Sequence, residues 1–205
     1  MTSCVKLDRS FYCRPTLKVA RELIGKFLIY DTGRGRLAAR LVEAEAYIGE
    51  DDPACHAAVG RTGRNAVMYG PGGFSYIYFI YGMYYCLNVV TESQGFPAAV
   101  LIRAAEPIEG IEVMRSRYEN PGRNLLTNGP GKLCKAFGLS RGQNGIDLTG
   151  QKLYFEDRGY KPEMIELSER VGIKKAIDRK WRFFESFSPY VSVTPGKRNK
   201  VRHES

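Results

Sequence analysis

The chain has no Cys-x-x-Cys pair, only two histidines and one tryptophan, and no apolar run approaching the length of a membrane span. Its five cysteines (Cys4, Cys13, Cys55, Cys86 and Cys134) are odd in number and widely spread. That pattern argues for free thiols in a reducing compartment and against a zinc site. His56 follows three acidic residues, but a lone histidine with no second one nearby reads as a hydrogen-bonding residue, so neither metal nor cofactor is expected. The missing apolar run leaves no membrane span to expect. Met1 to Arg9 has no hydrophobic leader region, which suits a cytoplasmic protein in a bacterium or a nuclear one in a eukaryote. Acidic residues are also short, at 22 against 31 Lys and Arg, for a formal charge of +9. Such an excess suits a polyanionic partner, nucleic acid first and an acidic membrane surface second. At 205 residues, 43% of them hydrophobic, one domain over 1–194 is expected, with a basic, disordered tail over 195–205.

What is abundant is concentrated. Between Phe74 and Tyr85 seven of twelve residues are aromatic, out of 24 in the whole protein. Aromatic and β-branched residues interrupted by one glycine predict two strands folded back at Tyr81-Gly82. Alternation puts Tyr76, Tyr78 and Ile80 on one face and Ile77, Phe79 and Tyr81 on the other, so at least one aromatic set faces something other than water. Tyr81, beside the glycine at the bend, is expected to project. A doubly buried core hairpin and a ligand-facing one both remain open on this stretch alone.

Around it, Thr16–Gly25 has helical spacing, with Leu17, Ala20, Leu23 and Ile24 as its stripe. Phe27–Tyr30 and Leu37–Tyr47 read as paired strands. In the second, alternation sets Leu41, Glu43, Glu45 and Tyr47 on one face. Two carboxylates there are either solvated or, if buried, in need of a partner or a task. The long connection from Ile48 to Gly73 is of a length that is usually functional or disordered. In it Arg61, Thr62, Arg64 and Asn65 alternate with glycines, a composition able to approach phosphates. Ala98–Arg103 reads as a central strand, Pro107 to about Tyr118 as a helix, Asn120–Asn128 as a loop, and Asn128–Gly138 as a short helix behind glycines. Gln151–Phe155 and Trp181–Phe184 are further strand candidates.

Taken in order, these pieces resemble the alkyladenine (3-methyladenine) DNA glycosylase family from about Leu23 to Val193. The blocks that carry the resemblance are Val42-Glu-Ala-Glu-Ala-Tyr47 with Gly49 and His56, Arg64-Asn65, Tyr76-x-Tyr-x-x-Tyr-Gly-Met83, Cys86-x-Asn88, Leu101-Ile-Arg-Ala104, Glu106-Pro-x-Glu-Gly110, Gly129-Pro-Gly-Lys-Leu-Cys134 and Ser188-Pro-Tyr-Val-Ser192.

The resemblance implies hydrolysis of the N-glycosidic bond of alkylated or deaminated purines in double-stranded DNA; from the sequence alone a monomer is expected. It implies that Glu45 activates the attacking water beside Arg103, that Tyr47, His56 and Tyr78 surround the extruded base, and that Asn88 crowds the 2-amino group of guanine. Tyr81 then fills the gap in the duplex, and Arg61, Thr62 and Arg64 are candidate contacts to the DNA backbone. With no lysine in the matched catalytic blocks, hydrolysis without a Schiff base is expected. Residue chemistry is compatible: a base inside a duplex must be extruded, and a rigid, flat side chain suits the vacated place. The expected fold is α+β: a curved, mainly antiparallel sheet with surrounding helices and a projecting aromatic hairpin. Three other readings remain. A carbohydrate hydrolase would use Glu43 and Glu45, though such pairs usually flank the bond from different elements. A non-catalytic aromatic cage for a quaternary ammonium would account for tyrosines plus a carboxylate but not for a projecting Tyr81 or the basic loop, and a non-specific nucleic-acid-binding module would need no buried Glu45.

Overall fold

The computed structural model describes residues 4–119 and 126–192. The expected tail over 195–205 and residues 120–125 of the expected loop lie outside them.

The chain begins with a short strand β1 (Val5–Lys6) and helices α1 (Arg9–Tyr12) and α2 (Thr16–Leu23). Then follow strands β2 (Phe27–Asp31) and β3 (Arg36–Ile48), a connection holding two 3-10 turns (His56–Val59 and Ala66–Tyr69), and the hairpin β4 (Ser75–Ile80) and β5 (Tyr84–Val90). Strand β6 (Ala98–Glu109) leads to helices α3 (Ile111–Arg115) and α4 (Pro130–Phe137), after which come β7 (Leu153–Asp157), β8 (Ile165–Ser168) and β9 (Arg182–Glu185). The expected α+β class and antiparallel pairing both hold, since every ladder among the described residues is antiparallel.

The expectation of a curved sheet is corrected. The strands run β1-β7-β2-β3-β6-β5-β4 as an open path, with no ladder joining its ends, and the sheet is neither closed nor strongly curled. Instead it forks. One edge of β3 pairs with β2 over Arg36–Arg40 and with β9 over Glu43–Glu45, so a second branch, β9-β8, leaves the same strand.

The fork coincides with a ladder irregularity between Leu41 and Ala44, and this bulge positions the site. Leu37, Ala39 and Leu41 lie in the main core, but past the bulge it is Ala44 and Ala46 that do. One extra residue flips the parity of a strand. Leu41 therefore does not share a face with Glu43, Glu45 and Tyr47 as alternation predicted; the carboxylates point away from the main core.

That core packs α2 and α4 against the sheet through residues such as Val19, Leu23, Leu133 and Phe137. The buried stripe of α2 is Thr16, Val19, Ala20 and Leu23. Leu17 is left exposed because the Thr16 amide and hydroxyl both donate to Glu92 Oε1, which turns that residue inward. On the opposite face a smaller cluster, including Cys55, Met68 and Tyr76, supports Tyr47 and Tyr78. The helix expected from Pro107 begins only at Ile111: Pro107 pairs with Ala39 at a second irregularity, and Gly110 (φ 72°, ψ 28°) makes the break. A Cβ at Gly110 would sit 2.8 Å from the Arg36 carbonyl oxygen, so that left-handed turn requires glycine.

Candidate active site

The hairpin fixes one wall of a cavity of about 450 Å³. Tyr76, Tyr78 and Ile80, the face predicted by alternation, line it together with Asn88 and Cys86 from β5. The other face divides: Ile77 enters the main core and Phe79 packs against Tyr85, 5.0 Å between ring centroids. At the tip Tyr81 (φ 54°) and Gly82 (φ 68°) are both left-handed, and the Met83 amide donates to the Ile80 carbonyl. Two successive positive φ values match the twist of a tight hairpin. A tyrosine held there costs about 1 kcal/mol. Its ring is 77% exposed at the cavity mouth, so the strain supports projection rather than packing.

The floor is built on β3 and β6. Glu43 and Glu45 have no exposed surface, which excludes the solvated-face reading. Glu43 Oε1 accepts from Arg103 Nε (2.9 Å), Arg182 Nε (2.7 Å) and Ser192 Oγ (2.9 Å), while its Oε2 accepts from the Ser192 amide at 2.6 Å. Burial alone would raise its pKa, but the two guanidiniums and the Ser192 amide outweigh burial and hold it below the usual carboxylate range. Glu43 is thus an ionised anchor for Arg103. Glu45 differs. Its Oε1 accepts from the Val171 amide at 2.7 Å, and its Oε2 accepts from the Tyr47 hydroxyl at 2.9 Å and from Arg103 at 3.4 Å. Those contacts are too few to offset complete burial, so its pKa is raised. Arg103 pulls the pKa down, but desolvation exceeds that pull.

Glu45 itself does not line the cavity, but Tyr47, Arg103 and Val171, its three partners, do. A carboxylate with raised basicity lies one side chain behind the wall. If it must be ionised to act, the acid limb of the pH–rate profile will lie above the pKa of an exposed glutamate, with activity rising as pH rises through it. A single-turnover pH profile reads this, and Glu45→Gln will lack that limb.

His56 stands opposite, edge-on to Tyr78 at 4.4 Å, with its Nδ1 2.8 Å from the Tyr76 hydroxyl. Burial, with a smaller contribution from Arg64, lowers its pKa to about 4, so it is neutral at pH 7. Asn88 is fixed by donating from Nδ2 to the Tyr76 carbonyl (3.1 Å) and the Cys86 carbonyl (3.4 Å). Tyr47, His56, Tyr78, Tyr81, Asn88 and Arg103 thus meet at one cavity.

The basic loop lies outside it. Arg61 stacks over Tyr69 at 5.5 Å, and the Thr62 hydroxyl accepts from the Asn65 amide within the loop. Arg64 reaches over the Tyr78 ring at 5.5 Å and donates to the Phe79 carbonyl. Asn65 is the loop's buried anchor, donating to the His56 and Gly60 carbonyls.

Sequence reasoning missed the segment Arg170-Val171-Gly172-Ile173, whose last three residues close the cavity. It also missed the Asp52–Arg170 pair and the wall contributed by Gly129–Lys132 at the start of α4. The α4 glycines and the run of acids before His56 were visible signals; the 170–173 segment has none. Lys132 is at the rim, donating to Asn128 Oδ1, so one lysine does line the cavity. Among the described residues no group of three or more metal-ligating side chains occurs, and no helix is long and apolar enough to cross a membrane.

The family model of methylpurine-DNA glycosylases matches residues 10–189. A protein of Methanocella arvoryzae is 52% identical over 191 residues, covering 91% of this chain and 95% of the relative. One of Alkaliphilus oremlandii is 46% identical over 200 residues (92% and 99%), and one of Rickettsia felis is 47% identical over 184 (89% and 94%). All three are provisionally named as 3-methyladenine DNA glycosylases. With similarity of this extent along nearly the whole chain, the protein belongs to the methylpurine-DNA glycosylase family.

Proposed function

We propose that the protein is a monofunctional DNA glycosylase. It turns an alkylated or deaminated purine (the class of 3-methyladenine, 7-methylguanine, hypoxanthine and ethenoadenine) out of the duplex and hydrolyses its N-glycosidic bond, initiating base excision repair. The observation that carries this reading is a buried, base-strengthened Glu45 behind the wall of an aromatic cavity whose mouth holds an exposed tyrosine. The cavity takes the base among Tyr47, Tyr78 and His56, with the fixed amide of Asn88 discriminating at the purine edge. Tyr81 occupies the place the base left. Water enters beside Tyr47, Arg103 and Val171; its oxygen bonds to the sugar C1′, the C1′–N bond breaks with its electron pair leaving on the purine, and Glu45 takes the proton. The charge of Glu45 also favours the cationic sugar of the transition state. The proposal takes the protein to act as a monomer.

Arg61, Arg64 and the overall basic charge position the phosphates without reading sequence. A neutral-sugar hydrolase gains nothing from the charge, and both carboxylates come from one strand.

Base release from alkylated duplex DNA, without added metal, tests the reading. The wild type is expected to release base and leave an intact abasic strand. Tyr81→Ala will keep its fold, because the residue is largely exposed, and lose roughly 5- to 150-fold in release rate, the equivalent of ~1–3 kcal/mol of stacking. A Tyr81→Ala rate equal to wild type would remove the wedge from the account. No release by wild type on any of the four lesions would remove the glycosylase itself.

A further inference from the structure

Arg170, whose side chain has no exposed surface, is a buried cation that the hydrolytic scheme does not use. Its guanidinium lies over the Tyr47 ring at 4.6 Å and over the Trp181 ring at 5.1 Å. Two of its nitrogens hold Asp52 bidentately at 2.5 and 2.8 Å, and one also donates to the Ala46 carbonyl at 3.0 Å. Its Nε has no hydrogen-bond partner among the described residues. A buried guanidinium left with an unsatisfied N–H between two rings is positioned by aromatic faces as well as by its carboxylate. The side chain has no exposed surface and does not line the cavity, whereas Tyr47 does. The face of Tyr47 that Arg170 covers is therefore not the face offered to a base.

We propose that Arg170 is a positioning residue that sets lesion preference through Tyr47: by occupying the rear face of that ring with a cation, it weakens the front face's attraction for cationic purines relative to neutral ones. An aromatic ring attracts a cation through its negative quadrupole. A guanidinium on one face, its carbon 4.6 Å from the ring centroid, draws on that same density. Arg64, over Tyr78 at 5.5 Å, puts a cation against another ring of the cavity. Tyrosine faces alone would favour an N-alkylated, positively charged purine, while this arrangement moves the balance toward uncharged lesions such as hypoxanthine. The inference rests on the base-binding role of Tyr47 proposed above.

The test compares duplexes carrying 7-methylguanine, a cationic lesion, with duplexes carrying hypoxanthine, a neutral one. The double variant Arg170→Gln with Asp52→Asn removes the cation without orphaning its carboxylate. Arg170→Lys keeps a charge for Asp52 but loses the planar face, and it carries the test if the double variant does not fold. Single-turnover release and equilibrium binding in a Glu45→Gln background are both read as the ratio of the two lesions. The ratio is expected to move toward 7-methylguanine by roughly 3- to 10-fold in the double variant and by less in Arg170→Lys. A purely structural role would lower both lesions together; an unchanged ratio, or one moving toward hypoxanthine, overturns the proposal. If the wild type releases neither base, the glycosylase reading falls, and the binding ratio still decides the role of Arg170.

Discussion

Replacing Asp52 with alanine is expected to lower the unfolding free energy by about 3–5 kcal/mol, the cost typical of removing one partner of a buried ion pair. Neither side chain of the Asp52–Arg170 pair has exposed surface. Asp52 also accepts from the Ala54 amide at 3.2 Å and the Ile48 amide at 3.4 Å, so it fastens the end of β3 to the connection that carries His56. Alanine leaves Arg170 as a buried cation with no bidentate partner. Asp52→Asn should cost less, because an amide keeps the shape and an acceptor. Burial raises the Asp52 pKa, but the hydrogen bonds and charge of Arg170 exceed that effect and the net shift is downward. The sign follows: the pair's contribution is complete above the ordinary carboxylate pKa and is lost as pH falls through the lowered value. Urea unfolding at neutral pH, with an unchanged m-value, reads the loss. An Asp52→Ala variant as stable as wild type would mean that Arg170 finds another counter-ion.

The local elements were legible where side-chain type and chain geometry agree. The aromatic hairpin, its bend at Tyr81-Gly82, α4 behind its glycines and the strands β2, β3 and β7 all follow from patterns of two or of helical spacing. Pattern failed at irregularities. The bulge at Leu41–Ala44 reverses the facing of a strand without any sequence mark, and Gly110 delays a helix that Pro107 and its apolar stripe suggest. The candidate residues stood out as residue types, and six of them line one cavity. The electrostatics were not: the raised pKa of Glu45 depends on complete burial, and the segment over 170–173 reaches the cavity only through tertiary packing. Charge balance across long sequence separations, such as Asp52 with Arg170 or Glu43 with Arg182, leaves no local trace.

Glu45→Gln is expected to have the largest effect on activity, a fall of ~10²–10⁴-fold in base release, the usual worth of a positioned general base. The substitution is conservative in shape. The glutamine carbonyl can still accept from the Val171 amide or the Tyr47 hydroxyl, and Glu43 continues to hold Arg103 at 2.9 Å. The cavity should therefore survive, along with DNA affinity, since neither Tyr81 nor the basic loop touches Glu45. In the proposed mechanism, what is lost is a proton acceptor of raised basicity and a negative charge beside the sugar.

The measurement that tests this account most directly is single-turnover release of 3-methyladenine from methylated duplex DNA by wild type and Glu45→Gln, with DNA binding measured for both. The account predicts release by wild type, a loss of at least 10²-fold in the variant, and similar binding by the two. Release at the wild-type rate by Glu45→Gln would contradict it, and would leave Glu45 a structural partner of Tyr47 and Val171.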